Sequence, residues 1–507
     1  MPPARLRSLA GRLPGFRAPG RLLSARYLRR WLVLGALIGV VAGLGAVAFI
    51  ELLQLATHVL LAALGGYRPP TAFGEGHVPA AGGTHSWRIP LVVAGGAVLS
   101  GLLVARFAPE AEGHGTDAAI AAVHQGPTSI RARVSLVKII ASAITIGSGG
   151  SGGREGPTAQ ISAGFGSLLA RWLRLSTSDA RIAVTVGIGS GIGAIFRAPL
   201  GGAVLGAEIP YRDDVETDAL IPSVVASIVA FAVFGAFEGY DPIFGFLSGY
   251  RFHHAFQLVY FALIGLAAGG MGRLYARTFH DTGGVFRRLQ APAVLKPALG
   301  GLLTALIAIA LPGVLGTGYG WVQRSMGSGL LALPLWVVLA LPFAKILATS
   351  CSIGSGGSGG IFGPGMVIGG FTGAALWRLL QAFAPTMPHS PAPFVIVGMI
   401  ACFGSIAHAP LAVMLMVSEM TGSLALLAPA MVAVGLATLV AGDHTIYRSQ
   451  LRTRADSPGH GVRMRLPLLS TTAVSTTMSA PRLTLTAAEP AAAALERLRA
   501  LGLAGAP

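Results

Sequence analysis

Charge is what this 507-residue chain has least of: only 11% of its residues are Asp, Glu, Lys or Arg, where soluble domains carry roughly 25%. So few charges could not cover a soluble surface, which excludes a soluble protein with an outsized apolar core. Cysteine is almost as scarce. The two present, Cys351 and Cys402, lie in apolar or glycine-rich sequence and allow neither a disulfide framework nor a metal-ligand spacing, so both are read as packing residues. No metal and no cofactor is expected. What is abundant is apolar sequence, at 53%. Runs long enough to cross a hydrocarbon core, about 20 residues each, include Trp31 to Leu64, Pro90 to Phe107, Leu220 to Phe237, Leu258 to Leu274 and Leu424 to Val440. The fold class expected is an all-α integral membrane protein.

Acidic residues are also few, and the formal net charge is +17. The excess does not point to nucleic acid, because it sits at the ends and in loops. Eight Arg precede Trp31, and Arg448, Arg452, Arg454, Arg463 and Arg465 follow the last apolar run. Positive charge stays on the cytoplasmic side, so both termini are expected in the cytoplasm and the Gly65 to Arg88 loop outside. No signal peptide is expected, since the first apolar run is too long and lacks a small-residue cleavage pattern. Residues 1–30 are read as a basic cytoplasmic arm.

Against this background one acid stands out. Glu155 lies in Gly147 to Pro157, a segment rich in glycine and flanked by apolar runs on both sides, and an ionisable residue at that depth is costly and by default a candidate functional site. The segment contains a literal Gly-x-Gly-x-x-Gly (Gly147, Gly149, Gly152). A dinucleotide site would also need a strand before it, a βαβ unit and an acid about 20 residues on. The flanks are membrane-like and no acid falls between Glu155 and Asp179, which leaves a nucleotide-binding enzyme as a remote alternative.

The segment has a twin. Lys138 to Gly153 reads KIIASAITIGSGGSGG and Lys345 to Gly360 reads KILATSCSIGSGGSGG. After the glycines the copies diverge: Arg154-Glu155-Gly156-Pro157 faces Ile361-Phe362-Gly363-Pro364, so Glu155 aligns with Phe362. Further on, Ile195 to Leu200 pairs with Ile406 to Leu411, and Glu208 pairs with Glu419. Paired, glycine-interrupted hydrophobic segments in two halves indicate an inverted repeat with broken helices meeting at the bilayer midplane. The halves expected are about 31–240 and 250–453.

Glycine lets the backbone turn sharply and expose successive N–H groups, and Pro157 and Pro364 sit near a first helical turn, where a missing donor costs least. Each motif therefore ends in a helix start. Another start is expected after Gly113-His114-Gly115, with Thr116 or Asp117 as its cap. Helix N-termini carry partial positive charge, so several of them aimed at one point form an anion site without full cations, and weak binding is what lets an ion leave again. Glu155 could occupy that site with its own carboxylate, and protonation would vacate it. Tyr447, in the polar stretch after the last apolar run, is read from the residues alone either as an interfacial anchor or as a site residue.

These residues resemble the CLC family of chloride channels and chloride/proton exchangers over roughly residues 31–453. Gly153-Arg154-Glu155-Gly156-Pro157 is an intact copy of that family's gating-glutamate motif. Gly360-Ile361-Phe362-Gly363-Pro364 differs by one small residue from its second motif, Tyr447 falls at its pore tyrosine, and Gly113 to Asp117 falls at its Gly-Ser-Gly-Ile-Pro. The resemblance implies a CLC-type inverted-repeat bundle with many tilted and broken helices, assembled as a homodimer in the cell membrane. Each subunit would carry chloride or a similar small anion, and in exchangers protons as well. Glu155 would be the gate and proton acceptor. His114, Gly115, Arg154, Gly156, Ile361, Phe362, Gly363 and Tyr447 would line the anion path, with Gly153, Pro157, Pro364 and Asp117 in support. Arg154 would orient the loop, and Asp117 is its expected partner.

Two positions depart from the family pattern. His114 replaces the serine that contacts the anion, and so bears on selectivity. It could donate to chloride while neutral, hold chloride more tightly when protonated, or point away. Ile209 stands where exchangers usually carry a cytoplasm-facing glutamate, which favours channel-like conduction over proton-coupled antiport. Glu208 and Glu419 are read as structural acids. A fluoride-exporting branch departs from the Gly-Arg-Glu-Gly-Pro pattern kept here. Residues 454–475 are expected to be a linker, and 476–507 to resemble the opening strand and helix of an incomplete CBS domain.

Overall fold

The computed structural model describes residues 25–76, 81–82, 87–246, 254–382, 386–458 and 483–506. The described residues are helical almost throughout, and the α-helices from Ala25 to Ala441 fall into two sets of eight. The first comprises α1 (Ala25–Ala56), α2 (Arg88–Phe107), α3 (Thr116–Gln125), α4 (Ala132–Gly147), α5 (Glu155–Trp172), α6 (Thr177–Ile195), α7 (Pro199–Glu208) and α8 (Thr217–Glu238). The second comprises α9 (Gln257–Arg288), α10 (Leu295–Ala310), α11 (Tyr319–Ser325), α12 (Leu335–Gly354), α13 (Phe362–Leu380), α14 (Ala392–Ile406), α15 (Pro410–Met420) and α16 (Leu427–Ala441). A two-residue antiparallel ladder, Tyr67–Arg68 against Ala81–Gly82, lies in the loop between α1 and α2.

Five of these segments are long and apolar enough to span a bilayer: Tyr27–Leu64, Arg88–Phe107, Thr217–Glu238, Gln257–Arg288 and Leu335–Gly354. The chain spans the membrane. Their outward leucines and valines, such as Leu32, Val33 and Leu37, are about half exposed, as a lipid-facing surface requires. Two expected spans differ from the observed helices. Leu258 to Leu274 is only the first part of the 32-residue α9, and Leu424 to Val440 shortens to the 15-residue α16.

The halves pack by the same device. α1 lies so close on α8 that a Cβ on Gly39 would meet the Ala226 carbonyl oxygen at 2.4 Å, and a Cβ on Gly265 of α9 would meet that of Ala433 on α16 at 2.4 Å. Small residues allow this approach, which replaces the hydrophobic effect as the driving force between helices in lipid. α7 and α15, both opened by proline, are short and broken from their predecessors, and they cross the boundary between halves. The Glu208 carboxylate, at the end of α7, accepts from the N–H groups of Leu411 and Ala412 at 3.3 and 2.8 Å. Glu419, at the end of α15, accepts in return from Leu200 and Gly201 at 3.1 and 2.7 Å. Each acid thus satisfies helix-start donors that would otherwise be orphaned, the structural role read from the sequence.

Residues Met1–Gly459 and His460–Pro507 form two separate compact units. α1 begins at Ala25, so the end of the expected arm over 1–30 belongs to the first helix; residues 1–24 lie outside the described residues. Of the linker expected over 454–475, residues 454–458 are described. Arg454–Asp456 forms a 3₁₀ turn, the Asp214 carboxylate accepts from the Arg454 N–H at 3.0 Å, and His124 Nδ1 pairs with Ser457 Oγ at 3.2 Å. In the second unit α17 (Ala491–Ala500) stands where the opening helix was expected. Of the CBS-like segment expected over 476–507, residues 476–482 lie outside the described residues.

Candidate functional site

The two glycine segments meet. Gly153 N–H donates to the Gly360 carbonyl at 2.7 Å and Gly360 N–H to that of Gly153 at 2.6 Å, an antiparallel bridge at the junction of the halves. Hydroxyl pairs flank it in matched fashion, Ser142 with Ser358 and Ser151 with Thr349, each at 2.9 Å. Two lysines do the same service on either side. Lys138 donates to the carbonyls of Ala111 and Gly113 at 3.0 and 2.7 Å, and Lys345 to those of Val314 and Gly316 at 2.9 and 2.8 Å. Both lysines are fully buried, and their charges are satisfied by backbone oxygens.

Four helices start near this junction. α5 opens at Glu155 and α13 at Phe362, with Pro157 and Pro364 each in the first turn. α3 opens after Gly115 (φ +82°) and α11 after Gly318 (φ +85°), left-handed conformations that favour glycine. The cap of α3 is therefore Gly115, without a side-chain cap bond, and not Thr116 or Asp117 as expected. The Asp117 carboxylate instead accepts from the Ser449 N–H at 2.8 Å.

The Glu155 carboxylate sits on the opposite half. Its Oε2 accepts from the Gly363 N–H at 3.1 Å, at the start of α13, and its Oε1 from the Tyr319 hydroxyl, at the start of α11. The residue is completely buried. Phe362, its counterpart, packs among rings, with centroids 4.0 Å from Phe403 and 5.1 Å from Phe196. Arg154 does not reach Asp117. Its Nη2 lies 2.5 Å from a Glu75 carboxylate oxygen, and its Cζ lies 5.3 Å from the Tyr319 ring centroid. The expected pairing fails because α3 points Asp117 toward the segment after α16, whereas Arg154 points toward the loop between α1 and α2.

On the other flank, Tyr447 and His114 come together with ring centroids 5.6 Å apart. Tyr447 is completely buried and its environment is not that of an interfacial anchor. His114 Nδ1 is buried without a hydrogen-bond partner, and the buried Tyr447 hydroxyl makes no bond of good geometry, its near neighbour being the Thr116 side chain. The Ile361 carbonyl accepts from the Tyr275 hydroxyl at 3.0 Å. Gly156 is obligatory, since a Cβ there would lie 2.1 Å from the His114 carbonyl oxygen. Cys351 and Cys402 are free thiols, and Ile209 is fully buried beside Glu208.

Two cavities approach from opposite flanks. One, about 620 Å³, is lined by Glu75, Arg154, Arg197, Glu238 and part of the loop between α1 and α2. The other, about 250 Å³, is lined by His114, Glu112, Asp117, His280 and Arg448 among others. Glu155 and Tyr447 line neither of these two.

Sequence reasoning missed Tyr319 and Glu75. Tyr319 had a signal: Gly316-Thr317-Gly318-Tyr319 repeats Gly113-His114-Gly115-Thr116, each run ahead of its lysine. Glu75 lies in a loop without a counterpart in the other half, and nothing local marks it.

Residues 96–442 match the voltage gated chloride channel family. A protein of Ralstonia nicotianae, provisionally named a ClcB-like chloride channel protein, is 34% identical over 451 residues, 86% of this chain and 99% of that relative. The voltage-gated ClC-type chloride channel ClcB of Salmonella typhimurium is 30% identical over 83% of this chain and 98% of its own. Among solved structures, that of a slow cyanobacterial Cl⁻/H⁺ antiporter superposes with a TM-score of 0.69 at 24% identity, over 87% of this chain and 99% of the other. This structural likeness shows the fold.

Proposed function

The chain belongs to the voltage gated chloride channel family, a family of transport proteins and not of enzymes, and we propose that it moves chloride through a pathway in each subunit of a homodimer, gated by Glu155. The observation that carries the reading is the seat of the Glu155 carboxylate on the Gly363 N–H. An anion at a helix start is stabilised by unpaired N–H groups and the helix dipole. The carboxylate holds such a place now, and a chloride ion could take it once the carboxyl is protonated and swings aside. Tyr447 and His114, which come together on the other flank, are the donors proposed for the next position along the path. The backbone at Arg154 to Gly156, Ile361 to Gly363 and Gly115 completes it. With the termini in the cytoplasm and the protein in the cell membrane, the 620 Å³ cavity is the outer vestibule and the 250 Å³ cavity the inner one.

Conduction is proposed to be uncoupled from protons. Ile209 is buried and cannot bind a proton, and both oxygens of the neighbouring Glu208 are engaged by α15. Proton-coupled exchange is the second reading. It is favoured by His114 and His280 on the inner wall, either of which could relay a proton where Ile209 cannot. Chloride efflux from reconstituted vesicles, with external pH recorded at the same time, tests both. Rapid efflux without uphill proton movement is expected. Proton uptake driven by chloride against its gradient would replace the uncoupled mode by exchange, and absence of anion flux would remove the function altogether.

A further inference from the structure

An arginine adjacent in sequence to a buried glutamate is its natural ion-pair partner, yet Arg154 and Glu155 do not pair. The carboxylate is held by Tyr319 and Gly363. The guanidinium is drawn to Glu75, a residue of the loop between α1 and α2, with its Cζ 5.3 Å from the ring centroid of that same Tyr319. The loop is firmly placed for this. Phe73–Glu75 forms a 3₁₀ turn, the Gly74 N–H donates to the Ile243 carbonyl at 2.9 Å, and the Gly74 carbonyl accepts from Arg197 at 2.9 Å. A Cβ on Gly74 would meet the Pro242 carbonyl oxygen at 2.6 Å, so the turn packs directly on the chain beyond α8. Glu75 retains 20% side-chain exposure and Arg154 only 5%, and both line the larger cavity.

We propose that Glu75 is a positioning residue for the gate: it engages the Arg154 guanidinium, so that the direct bonds to the Glu155 carboxylate come from the Tyr319 hydroxyl and the Gly363 N–H and not from the arginine. The inference rests on the reading of Glu155 as the gate. Without the Glu75 charge, Arg154 would be a buried cation with no paired anion, and the nearest one is its neighbour in sequence. An Arg154–Glu155 pair stabilises the charged carboxylate, so opening would demand a higher proton concentration.

The other charged groups facing this arrangement do not take the place of Glu75. Arg197 is satisfied by the carbonyls of Gly74 and Asp241 at 2.9 and 2.8 Å, and by that of Glu238. Glu238 accepts from Gln54 at 3.4 Å, and His58 and Arg68 line the same cavity without adding an anion. From the opposite flank Lys345 is committed to two carbonyls and Tyr275 to the Ile361 carbonyl, while Tyr447 stands as an uncharged hydroxyl.

The test is the external-pH profile of chloride flux in reconstituted vesicles for the unmodified protein, Glu75→Gln, Glu75→Asp, Glu155→Gln, and Glu75→Gln combined with Glu155→Gln. Glu75→Gln should move the half-activating pH to the acid side by about one unit, the low end of what an opposite charge within ~4–6 Å does to a carboxylate. Glu75→Asp, which keeps the charge, should restore most of the profile. The combined variant should show no pH dependence. A Glu75→Gln profile that is merely scaled down with its midpoint unchanged, or an Asp variant no better than Gln, would reduce Glu75 to a structural contact and overturn the proposal. Residual steep pH dependence in Glu155→Gln alone would instead overturn the gate reading beneath it.

Discussion

The two halves share a scaffold and differ at its centre. Lysine holds glycine carbonyls in both (Lys138, Lys345). A terminal acid caps a helix of the other half in both (Glu208, Glu419), and a left-handed glycine opens the short third helix in both (Gly115, Gly318). Two of the three described non-glycine residues with positive φ also correspond, Arg197 at +54° and His408 at +48°, while Arg174 at +48° has no such counterpart. The differences where the helix starts converge include Arg154 against Ile361, Glu155 against Phe362, His114 against Thr317 and Thr116 against Tyr319. Duplication therefore supplies the converging dipoles, and divergence at these positions makes one flank an acid held by a hydroxyl and the other an uncharged seat. The acid of the first half is gripped by the second, through Tyr319 and Gly363, so neither half forms the proposed gate alone.

Breaking the junction should have the largest effect. A Cβ on Gly360 would lie 2.8 Å from both the Gly153 carbonyl oxygen and the Gly156 nitrogen, backbone atoms that cannot yield, so Gly360→Ala should cost about 3 kcal/mol or more and leave no monodisperse protein in detergent. Gly435→Ala, with nothing near its Cβ, is the control and should purify normally. Normal folding of Gly360→Ala would mean that the bridge between the halves is dispensable. A smaller effect sharpens the symmetry. Glu208→Ala and Glu419→Ala each orphan two helix-start N–H groups and should each cost about 1–2 kcal/mol, with similar falls in the thermal midpoint. A loss several-fold greater for one would show that the halves do not share the load.

Much of this was legible in the sequence because the repeat is nearly literal. KIIASAITIGSGGSGG and KILATSCSIGSGGSGG announce two helices, two glycine turns and two new helix starts. The Glu155/Phe362 mismatch marks the position where the halves differ in charge. Membrane spans followed from the charge deficit, with errors at α9 and α16, whose ends are set by packing rather than by hydropathy. What could not be read was partnership at a distance. Arg154 pairs with Glu75 across a long stretch of chain because of how the loop after α1 folds back, and a sequence offers no local trace of that, so Asp117 was the nearer but mistaken choice. Tyr447 was ambiguous as a bare aromatic hydroxyl, and only its complete burial separates it from an interfacial anchor.

The most direct test of the asymmetry between the halves is chloride flux through Glu155→Gln across a series of external pH values. A neutral amide cannot compete with chloride for the helix starts, so the flux should be as high at neutral pH as the unmodified protein reaches in acid, and flat throughout. Flux that still rose steeply on acidification would place the titrating group elsewhere and contradict the account.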